Sequence, residues 1–207
     1  MLFFRKFYPK KVVRSTYSIN FKKYYKNGYR GVLFDIDNTL VPHGEAADAK
    51  AIYFFKKLKD IGFSFCLISN NKIDRVKSFA DAVGAPFICD AHKPSTEPYN
   101  EAMKLMGTDI NDTIFVGDQV FTDVYGANRS GIYTILVRPI HPKEEIQIVL
   151  KRYLERPVLF FYRRRDRKQL KKENKQYDKR RLKFLAIKRN KRKREAAGKS
   201  VNENNEG

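Results

Sequence analysis

GVLFDIDNTLV, residues 31–41, decides the fold. Gly31–Ile36 is a short apolar run rich in strand formers, interrupted only by Asp35 and entered through the turn signal Asn27-Gly28. Such a run reads as a strand buried on both faces, the kind that parallel sheets use. In open α/β sheets the ligand sits beyond the carboxyl ends of the strands. Asp35, Asp37, Asn38 and Thr39 therefore fall where chemistry is expected.

Working outward, strands alternate with helices. Asp48–Ile61 has helical apolar spacing through Ala51, Phe55 and Leu58 and stops at Gly62. Phe63–Ser69 is a second buried strand. Asn71–Val83 is a helix closed by Gly84, and Phe87–Cys89 a short strand. Thr96–Met106 is helical, Thr113–Val116 a strand, Val120–Ser130 a helix and Tyr133–Val137 a strand. Pro142–Glu155 predicts a last helix, ended by Pro157. This alternation implies parallel βαβ units in a doubly wound, three-layer α/β fold.

Each strand end delivers polar groups suited to phosphate. After the second strand comes Ser69-Asn70-Asn71, after the third His92-Lys93-Pro94, and after the fourth Gly117-Asp118-Gln119 with Thr122-Asp123. Singly these are weak signals. A DxD recurs by chance, a lone lysine is usually a surface charge, and Gly-Asp often makes only a turn. Together, in order and each at a strand end, they describe one site.

DxDNT at 35–39, Ser69 at a strand end, Lys93 before a proline and GDxxxTD at 117–123 resemble the four motifs of the haloacid dehalogenase (HAD) phosphatases. DxDNTLV with GDQxxTDVxGANR resembles more narrowly the capless YqeG-type branch, which is similar to the mitochondrial and plant phosphatidylglycerophosphate phosphatases. The resemblance covers Gly31–Val137. It implies a Rossmann-like HAD fold, a phosphomonoester substrate and a phospho-aspartyl intermediate on Asp35. Asp37 would be the general acid and base. Asp35, Asp118 and the backbone carbonyl of Asp37 would hold Mg2+, a cation that prefers hard oxygen ligands. Ser69, Asn70 and Lys93 would bind the phosphoryl group. Asn38 would support it, and Asp123 would be either a metal ligand or a partner of one. The intervals from Asp37 to Ser69 and from Ser69 to Lys93 are too short for a cap domain. An open site favours a large or membrane-held substrate, with a lipid phosphate such as phosphatidylglycerophosphate preferred and a soluble or protein-linked ester as the alternative.

The charge of +20 is unevenly placed. Residues 1–30 carry nine Lys or Arg and no acid; residues 31–150 carry 12 basic and 16 acidic side chains; residues 151–207 carry 22 and seven. The expected organisation is a basic, aromatic arm (1–30), a phosphatase core (31–160) and a basic, partly disordered tail (161–207). Basic arms seek polyanions. Phe3, Phe4, Phe7 and Val158–Arg165 mix rings with cations, as peripheral membrane segments do. Arg163–Arg194 suits nucleic acid equally, which leaves open a nucleic-acid- or ribosome-associated protein with a secondary catalytic core. Solvated surface charge is the bland reading of both. Arg129 and Arg138 are candidates for a substrate headgroup, weighed against surface roles.

No apolar run approaches the ~20 residues that a membrane-spanning helix needs. Cys66 and Cys89 fit a cytosolic protein better than a disulfide scaffold. A cytoplasmic, peripherally membrane-associated protein is expected. Import into an organelle stays open, because the first residues resemble a serine-poor transit peptide. The three histidines show no metal-ligand spacing.

Overall fold

A computed structural model describes residues 3–141 and 146–164, and helical residues scattered between 172 and 190. The chain divides into two compact units, Met1–Arg165 and Asp166–Gly207. In the first unit, β1 (Lys11–Val12), β2 (Gly31–Phe34), β3 (Ser64–Ile68), β4 (Phe87–Ile88), β5 (Thr113–Gly117) and β6 (Tyr133–Leu136) form one sheet in the order β1-β6-β5-β2-β3-β4. Every pairing is parallel. The chain leaves β2 toward β3 and β4 on one side, while β5 and β6 lie on the other. The carboxyl end of β2 is thus the topological switch point, where a crevice opens.

The helices are α1 (Phe21–Lys26), α2 (Ala49–Ile61), α3 (Ile73–Val83), α4 (Glu97–Met106), α5 (Tyr125–Arg129) and α6 (Ile146–Arg164). Asp48 caps α2 by accepting from the Ala51 amide at 2.7 Å, and Gly62 ends it at φ 98°, a left-handed conformation that glycine adopts without strain. Successive residues of β2 serve opposite layers. Leu33 joins the core with Tyr99, Ala102 and Met103 of α4, whereas the Phe34 ring meets Phe21 of α1 and Phe54 and Phe55 of α2.

Three sequence expectations change. Residues 3–30 are not an arm. Phe7, Tyr8, Phe21, Tyr24 and Tyr29 are buried, and β1 extends the sheet beside β6. The rings go inside because they meet other rings: Tyr24, Tyr29 and Tyr133 lie mutually edge-on at 5.5–5.9 Å. The cations stay at the surface, among them Arg5, Lys6, Lys22 and Lys26.

Pro157 does not end the last helix, which runs on to Arg164. Its missing N–H deprives the Tyr153 carbonyl of a partner, and Tyr153 is 57% exposed, so water can serve there. Residues 142–145, part of the expected helix, lie outside the described residues. Phe161–Arg164 therefore belong to α6 rather than to a tail, and the stretch expected to be disordered, Gly198–Gly207, lies outside the described residues. Lastly, the segment after β5 begins as a π-helical turn, Val120–Val124, before α5.

The segments between Asp37 and Ser69 and between Ser69 and Lys93 hold a loop with α2, and α3 with β4. Neither contains a further domain. Both cysteines are free thiols, and burial pushes the Cys66 thiol up to about 12. No helix among the described residues is long and apolar enough to cross a membrane.

Candidate active site

Asp35 leaves the end of β2 with its backbone still in the sheet, its amide donating to the Val116 carbonyl at 3.0 Å. Its side chain is buried. Oδ1 accepts from Lys93 Nζ at 2.6 Å and Oδ2 from the Thr39 hydroxyl at 3.0 Å. Lys93 reaches Asp123 Oδ1 at 2.7 Å and the Ile68 carbonyl at 3.2 Å with the same ammonium. Asn70 holds the lysine from behind, accepting from the Lys93 amide at 2.7 Å and donating to its carbonyl at 3.4 Å.

Asp118 and Asp123 come from the turn after β5. The second oxygen of Asp123 accepts from the amides of Asp118 at 3.2 Å and Gln119 at 3.1 Å. The approach is close enough to require glycine before it: a Cβ on Gly117 would lie 2.5 Å from that oxygen. Asp118 accepts from Thr39 at 3.3 Å, so one hydroxyl touches both aspartates. Carboxylate oxygens of Asp35, Asp118 and Asp123 lie within 4.8 Å of one another. A buried group of three hard oxygen donors suits a divalent cation. Asp37 brings no carboxylate oxygen to this group; the contribution expected of it is its backbone carbonyl.

The electrostatics follow from burial. Desolvation pushes Asp35 up to about 7, opposed by Lys93 and reinforced by Asp123 and Asp37. Asp118 is held well above the usual carboxylate range, again by burial, against the pull of Arg152. Burial alone would lower Lys93, but Asp123 and Asp35 more than offset it and hold the ammonium above its ordinary value. Three carboxylates share one lysine and one arginine, so the cluster gains from further positive charge.

Asp37 points elsewhere in the same cleft. Oδ1 accepts from the Gly44 amide at 2.8 Å and Arg75 Nη2 at 3.0 Å, and Oδ2 from Asn71 Nδ2 at 2.5 Å. His43 Nδ1 is 3.8 Å away. Asp35, Asp37, Ser69, Asn70, Lys93, Asn71, Gln119 and Lys151 line a cleft of about 310 Å³. Asn38 does not line it. Its φ of 59° turns the loop, and its side chain accepts from the His141 amide at 3.2 Å, so it ties two loops together. Arg129 donates to the Pro94 carbonyl at 3.2 Å, a structural bond.

Two further groups of residues carry no motif. Thr16 and Tyr17 hydroxyls donate to the carbonyls of Thr39 at 2.7 Å and Leu40 at 2.6 Å, bracing the loop after Asp35. Arg152 of α6 pairs with the Asp118 carboxylate and donates to its carbonyl at 2.6 Å. Glu155 accepts from the Val120 amide at 2.6 Å and pairs with Arg152 at 3.2 Å. The only sequence signal for the latter is an Arg and a Glu three apart, which is common on solvated helices.

A family model described as "HAD-hyrolase-like" matches residues 91–145. A protein of Bacillus subtilis (strain 168), "Probable phosphatase YqeG", is 34% identical over 160 residues, which is 77% of this chain and 93% of that protein. The chain belongs to the YqeG-type HAD phosphatases. This HAD phosphatase is also similar to "Phosphatidylglycerophosphate phosphatase 1, chloroplastic/mitochondrial" of Arabidopsis thaliana, at 28% identity over 173 residues. That match covers 79% of this chain and 49% of the plant protein, so the chain spans about half of that relative. Among solved structures, the HAD phosphatase from Thermococcus onnurineus is 13% identical with a TM-score of 0.45, covering 60% of this chain and 97% of that one.

Proposed function

We propose that this HAD phosphatase is Mg2+-dependent and hydrolyses a lipid phosphomonoester, phosphatidylglycerophosphate, through a phospho-aspartyl intermediate on Asp35. The observation that carries the mechanism is the buried cluster in which Asp35, Asp118 and Asp123 converge beside Lys93 at the switch point. Magnesium, when bound there, neutralises charge on the nucleophile and the phosphoryl oxygens. Lys93 and Ser69 hold those oxygens in line with Asp35. An Asp35 oxygen bonds to phosphorus as the bond to the leaving oxygen breaks, and Asp37 gives that oxygen its proton. Asp37 then takes a proton from water, which attacks phosphorus and frees Asp35 and inorganic phosphate. Positioning and charge neutralisation supply most of what phosphoryl transfer needs.

The lipid part of the reading is supported by the plant relative and by α6. Val149, Leu150, Tyr153, Leu154, Pro157 and Phe160 fall on one arc of that helix, and all are exposed. Lys151, Arg156 and Arg163 flank the arc. An apolar stripe with aromatic rings and a basic border is the pattern of a helix lying in a membrane interface. The buried N-terminal rings cannot serve this role; the exposed cations near them can add attraction to anionic lipid.

The test is phosphate release from a panel of phosphatidylglycerophosphate in mixed micelles, nucleotides and sugar phosphates, with and without chelator. The expected result is Mg2+-dependent release, fastest from the lipid and lost in Asp35→Asn. Faster release from a nucleotide or a sugar phosphate overturns the lipid substrate. Chelator-resistant activity overturns the metal role.

A further inference from the structure

A second cavity, of about 500 Å³, has Asp118 of the site in its lining. It is lined by Val12 of β1, Leu136 of β6, Val137–Pro139, and one face of α6: Arg152, Glu155, Arg156, Leu159, Tyr162 and Arg163. Asp118 lines it too, while Lys151, the residue before Arg152, lines the catalytic cleft. The two cavities are thus neighbours: consecutive residues of α6 line one each, and Asp118 of the second is joined through the Thr39 hydroxyl to Asp35 of the first.

The chemistry of the lining is mixed in a specific way. Its walls are aliphatic and aromatic: Val12, Leu136, Val137, Pro139, Leu159 and Tyr162. Its charges are four guanidinium groups against two carboxylates, Asp118 and Glu155, and Arg152 is already bound to both. Among the described residues no carboxylate pairs with Arg138 or Arg163, and both are exposed. Arginine forks bind phosphate oxygens in pairs. A sugar or nucleoside phosphate would set hydroxyls and amides against the apolar wall with no partner, at a cost. A phosphate joined to a hydrocarbon chain satisfies both parts.

We infer that this cavity is a second phosphate subsite, which takes the phosphodiester and the adjoining acyl segment of the lipid whose terminal phosphomonoester lies in the catalytic cleft, with Arg138 and Arg163 as its anion-binding residues. This rests on the lipid reading of the substrate. The subsite sets specificity: a substrate must carry two phosphorus centres on one polar backbone, the outer one a monoester and the inner one a diester next to hydrocarbon. It also explains why arginines crowd the inner flank of a helix whose outer face is apolar. The lipid's headgroup enters between them.

The experiment compares the full chain with Arg138→Ala/Arg163→Ala. As a control for general surface charge it includes Lys56→Ala/Lys59→Ala, which removes two exposed cations from α2. KM and kcat are measured for short-chain phosphatidylglycerophosphate below its micelle concentration and for p-nitrophenyl phosphate. Loss of two charge-assisted contacts predicts a rise of about tenfold or more in KM for the lipid, with the aryl ester unchanged and the control unaffected. Equal effects on both substrates, no effect, or the same effect in the control overturns the subsite. A calorimetric titration with dihexanoyl phosphatidylglycerol, which has the diester but no monoester, tests the cavity without hydrolysis. If the wild type cleaves the aryl ester but no lipid, the substrate reading fails; the subsite then stands if the double variant loses this binding. It falls if the wild type never binds the diester.

Discussion

Lys93 and Asp35 set the most direct expectations. Asp35→Asn should lower turnover by about a thousandfold or more while the protein stays folded, because an amide cannot form the aspartyl phosphate. Single-turnover phosphate release measures it, and circular dichroism checks the fold. Lys93→Ala should do worse to the fold, since two buried carboxylates lose their shared cation; a loss of roughly 3–5 kcal/mol is expected from urea unfolding. The raised Asp35 carboxyl, at about 7, also predicts a pH dependence for the metal-free protein. Between the ordinary carboxylate value near 4 and about 7 the folded state holds a proton that the unfolded state has released. Stability therefore falls as pH rises through that window, by up to about 1.4 kcal/mol per pH unit for one group. Asp35→Asn should flatten the slope. A wild-type stability that rises from pH 4 to 7 at the same rate as the variant's would refute the assignment.

At this scale the sequence was most legible where a residue type is demanded by chemistry. Asp35, Asp37, Ser69, Lys93 and Asp118 are recognisable from order and strand-end placement; the first four line one cleft, and Asp118 lies close to Asp35, with Thr39 touching both. Asn38 was misread because DxDN looks like a run of ligands, whereas a left-handed φ at its fourth position makes it a turn residue. Thr39 falls within the motif with no role assigned by the sequence, and its hydroxyl touches both Asp35 and Asp118.

Among elements, α6 was the least legible. Proline suggested its end, and nothing local links Arg152 to an aspartate 34 residues earlier. Buried parallel strands announce themselves as apolar runs, but the helix that completes a site does so through long-range pairing. Glu155→Ala tests this role. It leaves the Val120 amide without its acceptor and removes one of the carboxylates that hold Arg152, so a loss of about 2–4 kcal/mol is expected. Because Val120 lies two residues after Asp118, Mg2+ affinity by calorimetry should fall as well. Unchanged metal affinity in a destabilised protein would reduce Glu155 to a packing role. Gly117→Ala is the corresponding test of the turn after β5. Its methyl would displace the Asp123 carboxylate, so both stability and metal binding should drop, and Ser in place of Ala should not rescue them.

For the whole molecule, the fold class could be read from the alternation of strands and helices, but its edges could not. Lys11–Val12 is too short and too exposed to look like a strand, and the N-terminal rings looked like a membrane arm because charge surrounds them. Their burial changes the expected effect of truncation. Removing residues 1–26 takes away β1, all of α1 and the Thr16 and Tyr17 braces, so activity on a soluble ester and on a lipid should vanish together, with loss of cooperative unfolding. Attraction of the intact protein to anionic vesicles should weaken as salt rises, since screening acts over ~8 Å at physiological strength. A salt-resistant remainder should disappear in Leu150→Ser/Phe160→Ser, measured by flotation. Tight RNA binding with no vesicle binding would favour the nucleic-acid reading of the basic C-terminal residues.

The pairing of β1 with β6 also has a consequence for biogenesis. The Lys10 amide bonds to Thr134, 124 residues downstream. At roughly 5–20 residues per second, on the order of ten seconds of translation separate the two. Through that interval the rings of Phe7, Tyr8, Tyr24 and Tyr29 have no finished sheet edge to cover them. The nascent chain is then a natural client for a ribosome-bound chaperone, and slow codons before residue 133 would lengthen its exposure to aggregation.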